Sequence, residues 1–85
     1  MGETTTIELF ANDDAGFERW LEEHPEGYVL NIYRTGRVHT ARCKSYRSHG
    51  EHMTHTRPKV VGGSERQLFE YAAQHHIDAT RCELC

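Results

Sequence analysis

Eighty-five residues allow one domain, and with only 36% of them apolar and a mean hydropathy of −0.78 the core must be marginal. Chains of this size commonly need a staple, and three cysteines cannot all pair internally, which argues against a secreted disulfide framework. The net charge is −3; with no basic leader and no long apolar run, the expectation is a cytoplasmic protein with reduced thiols and no membrane contact.

Residues 1–12 read as an N-terminal arm, in which Thr6 to Phe10 could form a short strand, and residues 13–85 as the single domain. Asn12, Asp13 and Asp14 offer N-cap side chains. Phe17, Trp20, Leu21 and His24 then fall at i, i+3, i+4 and i+7, one face of a helix. Pro25 disfavours the helical conformation at His24, and Gly27 lets the chain turn. Tyr28 to Tyr33 has the composition of a central strand, apolar on both faces. Thr35-Gly36 suggests a tight turn with glycine at positive φ, and Val38 to Ala41 would return as the second hairpin strand. Residues 44–57 show no apolar period and read as a long exposed loop. Lys59-Val60-Val61 would be a third strand, entered at Pro58 and broken at Gly62-Gly63. Ser64 opens a capping box with Gln67, and Leu68, Tyr71, Ala72 and His75 follow at helical spacing. The predicted fold is α+β: two helices and a small antiparallel three-stranded sheet, stabilised by zinc.

The zinc expectation comes from spacing. His39 and Cys43 form an H-x3-C pair, and Cys82 and Cys85 a closing C-x2-C pair, so every cysteine belongs to the set. Tetrahedral zinc binds thiolate sulfur at about 2.3 Å and imidazole nitrogen at about 2.0–2.1 Å. A C-x2-C knuckle meets this readily. Four residues of extended strand from His39 to Cys43 would span roughly 13 Å, so the strand must stop near Thr40 and the chain must bend before Cys43. Such a site is closed, with no open position for water, so no catalytic residue and no small-molecule substrate are expected. The alternatives stay open: a redox C-x2-C, a buried Cys43 thiol, and a hydrogen-bonded strand histidine at His39. His49, His52 and His55 recur at every third residue and could hold a second metal, or reflect chance in a polar loop.

Thr35-Gly36-Arg37-Val38-His39-Thr40-Ala41-Arg42-Cys43, followed by Lys59-Val60-Val61, a helix from Ser64 and Arg81-Cys82-Glu83-Leu84-Cys85, resembles the metal-binding domain of Ada-type DNA methylphosphotriester repair proteins. That family carries a hairpin ending in T-G-x-x-[CH]-x3-C, then a strand, a helix and C-x2-C. "HPEGYVLNIYR" followed by "VHTARC" is also similar to a small actinobacterial domain found alone or beside HNH-type nucleases. The resemblance implies the fold and a metal held by His39, Cys43, Cys82 and Cys85. It does not carry over the repair activity: the methyl-accepting cysteine of the family is His39 here, and a metal-bound imidazole is not that nucleophile.

Charge is segregated along the chain. Residues 1–26 hold eight acids against Arg19, and residues 34–59 hold seven bases (Arg34, Arg37, Arg42, Lys44, Arg47, Arg57 and Lys59) against Glu51. With Tyr33 and Tyr46 as stacking partners, these bases could bind DNA or RNA with low sequence specificity. They could equally solubilise a loop or offset the acidic helix. The first functional expectation is a non-catalytic nucleic-acid-binding accessory domain. The second is a protein-interaction adaptor that docks a partner through Trp20, the acidic helix or the loop.

Overall fold

A computed structural model of the chain describes residues 6–43, 54 and 57–83. Its elements are β1 (Glu8–Phe10), α1 (Asp14–Glu23), β2 (Tyr28–Ile32), β3 (Gly36–Thr40), β4 (Lys59–Gly62), α2 (Glu65–Gln74) and β5 (Ala79–Arg81). The class is α+β, but the sheet has five strands in the order β1-β4-β2-β3-β5. The expected three-stranded antiparallel sheet is its centre. β1 adds antiparallel to β4 at one edge, and β5 adds parallel to β3 at the other, so the sheet is mixed.

The register explains the two-faced core. Val61, Val29 and His39 lie opposite one another across β4, β2 and β3, and Val60, Leu30 and Val38 form the next row. Successive residues in a strand point to opposite faces. Val29 and Val61 therefore pack with Phe17, Trp20 and Leu21 of α1. Leu30, Val38 and Val60 pack on the other face with Leu68 and Ala72 of α2. Each helix thus covers one face, and β2 is buried on both sides, with Val29 turned to α1 and Leu30 to α2.

Both helices are capped as their sequences suggest. The Asp13 carboxylate accepts from the Gly16 amide. Ser64 and Gln67 form the reciprocal capping box. α2 ends at Gln74 with His75 as its C-cap. His76 takes the left-handed conformation at φ 57°; its amide donates to Ala73, and the Ile77 amide donates to Ala72 at 2.8 Å. This is a Schellman termination with histidine where glycine is usual. It reverses the chain and seats Ile77 on the α2-side core, which sends β5 back along β3.

Gly36 does not sit at positive φ in a two-residue turn. It pairs with Ile32 in the hairpin ladder, leaving Tyr33, Arg34 and Thr35 as the loop. Its constraint is space: a Cβ there would stand 2.8 Å from Leu30 Cδ1 and 3.0 Å from Ile77 Cγ2.

Candidate metal centre

His39, Cys43 and Cys82 converge at one point. Their ligand atoms all lie within 4.8 Å of one another, and all three residues are buried. Three local features bring them there. The β2–β3 ladder turns His39 towards α1, in register with Val29. β3 then stops at Thr40, and the Cys43 amide donates to the Thr40 carbonyl at 3.1 Å, closing the required bend around Ala41-Arg42. The parallel pairing of β5 continues one residue beyond the strand, with the Cys82 amide donating to Val38 O at 2.8 Å. That places Cys82 beside His39 on the same face.

The sulfurs of Cys43 and Cys82 are 4.0 Å apart. Two metal–sulfur bonds of about 2.3 Å spanning that distance would open an angle of about 120° at the metal. Tetrahedral zinc needs an S···S distance of about 3.8 Å, whereas a square-planar cis pair at the same bond length needs about 3.3 Å. The group could therefore hold a metal ion. The expectation of reduced thiols fails at Cys43, which is disulfide-bonded with its partner outside the described residues, and holds at Cys82, a buried thiol. Cys85, the fourth expected ligand, lies outside the described residues, as do His49, His52 and His55.

The basic residues divide into two groups. Arg34, Arg37 and Arg42 are exposed. Arg57 is half-buried, and its guanidinium stands 4.4 Å from the Tyr33 ring centroid, with that of Arg34 at 5.6 Å. Tyr33 itself is 60% exposed, so the hairpin tip presents an aromatic ring among guanidinium groups. Lys59 does not join this surface. It is fully buried, and its ammonium donates to Asn31 Oδ1 at 2.7 Å and to the Arg57 carbonyl at 2.8 Å. The pairing places it on the α1 side of β4, beside Asn31. A charged amine at that position is held by hydrogen bonds and cannot reach a phosphate. Lys44, Arg47 and Tyr46 lie outside the described residues.

Two further expectations are corrected. Trp20 is 3% exposed, stacked on His24 with ring centroids 4.4 Å apart, and so offers no docking surface. The segment 44–57 is not wholly exposed: Thr54 is buried. The Thr54 hydroxyl donates to Asp14 Oδ1 and accepts from the Asp13 amide, each at 2.7 Å. This clasp ties the long connection to the start of α1. The only hint in the sequence was that Asp13-Asp14 supplies one more acidic cap than a helix needs.

No helix among the described residues is long and apolar enough to cross a membrane. Comparison of the chain with family models, with curated proteins and with solved structures found no match.

Proposed function

We propose that this chain is a non-catalytic module built around one structural zinc ion, and that it serves as a DNA- or RNA-binding accessory domain. The observation that carries the metal half is the convergence of His39, Cys43 and Cys82, three buried ligands from two separate parts of the chain. The C-x2-C spacing supplies Cys85 as the fourth ligand. Zinc is favoured by the mixed imidazole–thiolate set and by the S···S separation of 4.0 Å. As a structural ion it would join the β3 end to the β5 end. In zinc-finger peptides such an ion is worth roughly 10–16 kcal/mol in apparent binding energy, as much as the whole stability of a small domain. Binding requires the Cys43 sulfur as a thiolate, so the loaded form is the reduced one.

The nucleic-acid half is supported by the hairpin tip. Arg34, Arg37 and Arg57 supply charge for phosphates there, and exposed Tyr33 supplies a face on which a base can stack; Arg42 is also exposed but follows the opposite end of β3, near Tyr28. Lys44 and Arg47 extend the basic run in sequence. The test is binding of labelled duplex and single-stranded oligonucleotides across a salt series, using zinc-loaded, reduced protein. Affinity should fall steeply with salt, and changing Arg34 and Arg42 to Ala should each lower the slope by about 0.7–0.9. Absence of binding even at low salt would overturn the nucleic-acid reading and leave a protein-interaction adaptor.

A further inference from the structure

Cys43 stands in two chemical relations at once. Its sulfur is disulfide-bonded, yet it lies 4.0 Å from the Cys82 sulfur and within 4.8 Å of a His39 ring nitrogen. A disulfide sulfur is a poor ligand, because metals bind the thiolate. We propose that the His39–Cys43–Cys82 centre is redox-gated: the Cys43 sulfur either closes a disulfide or holds the metal, so oxidation expels the ion and a thiol reductant readmits it. The proposal rests on the metal reading above and adds its regulation.

The electron balance is simple. Two equivalents of a low-molecular-weight thiol reduce the disulfide to two cysteine thiols and become one disulfide themselves. A divalent metal then displaces one proton from each thiol that it binds. In the reverse direction a hydroperoxide takes two electrons from two metal-bound thiolates. A sulfur–sulfur bond forms, and the metal leaves as a dication. With two protons, hydrogen peroxide leaves as two molecules of water.

The backbone does not have to unfold for this exchange. His39 is held by the β2–β3 ladder and Cys82 by its bond to Val38 O. Neither restraint involves the Cys43 sulfur. His39 and Cys82 therefore stay in place in the disulfide form, but too few ligands remain to close a tetrahedral site. Reduction restores a preassembled site. Burial of all three residues slows access of oxidants, which favours a disulfide as the end point over higher oxidation of an exposed thiolate.

The experiment uses the full chain. Reduced protein, freed of reductant under anaerobic conditions, is titrated with zinc against a chromophoric chelator. It is then treated with one equivalent of hydrogen peroxide, and released zinc is followed together with alkylation of each cysteine by mass spectrometry. The expected result is one zinc bound per reduced chain and one released per disulfide formed. Affinity should fall by more than the roughly 10–100-fold that loss of an outer-shell partner costs, and a thiol should restore it. In the oxidised form Cys82 should be alkylated and Cys43 protected. A reduced chain that binds no zinc removes the metal reading and the gate with it. A reduced chain that binds zinc, but whose disulfide form binds it within about threefold of the same affinity, overturns the gate alone. Protection of Cys82 in place of Cys43 likewise overturns the gate.

Discussion

Replacing His39 with Ala separates a metal ligand from a residue that merely fills space. His39 is 3% exposed and stands in a row with Val29 and Val61 against α1, so truncation removes both a ligand and packing. If four ligands share roughly 10–16 kcal/mol of apparent zinc affinity, one of them carries about 3–4 kcal/mol, a loss of roughly 10²–10³ in Kd. Val29→Ala is the control. It empties part of the same row, with Val29 fully buried, and should cost about 1.5–3 kcal/mol of stability, yet it offers no atom to a metal. The assay is zinc competition under reducing conditions, paired with thermal unfolding with and without zinc. His39→Ala should lose affinity and most of the zinc-dependent rise in Tm. Val29→Ala should lower Tm in both states while keeping its zinc affinity. Equal zinc affinity in wild type and His39→Ala, within about threefold, would refute the assignment of His39 as a ligand.

Gly36→Ala forces a Cβ to within 2.8 Å of the side chain of fully buried Leu30; overpacking of this kind costs about 1–3 kcal/mol, and calorimetry should show Tm lower by about 4–8 °C per kcal/mol. His76→Gly relieves a left-handed φ of 57° at an exposed position and should raise stability by about 1 kcal/mol, read from the urea midpoint; a fall would mean that the imidazole makes a contact worth more than the strain. Lys59→Met keeps the stem but removes the charged donor to Asn31. It should cost about 1.5–3 kcal/mol and leave the salt slope of oligonucleotide binding unchanged, whereas a slope reduced by about 0.9 would place Lys59 on a phosphate. Ser64→Ala removes half of the capping box and should destabilise by about 0.5–2 kcal/mol, with zinc affinity unaffected.

The parts of this molecule legible from sequence are those set by neighbours along the chain. The stripe Phe17, Trp20, Leu21 has helical period and is buried. The Ser64–Gln67 box needs only residues three apart. The bend after Thr40 follows from requiring two ligands four residues apart to meet at one point. The pairing of His39 and Cys43 with Cys82 was legible because cysteines are scarce and every one of them belonged to the pattern. What sequence could not decide are the relations between elements. β1 falls within the Thr6–Phe10 stretch that sequence offered as a short strand, but its pairing with β4 was not readable; β5, three residues long, is too short to show a period and exists as a strand because β3 offers it an open edge. Lys59 looks like a surface charge in sequence and is buried because β4 lies between β1 and β2 with α1 above it. Gly36 looks like a turn glycine and is instead a point of close approach for Leu30 and Ile77. Sequence alone singled out which residues have the side-chain chemistry of metal ligands. Only the tertiary structure decided that Cys82 reaches His39, because the parallel pairing of β5 with β3 depends on where α2 ends and how His76 turns the chain.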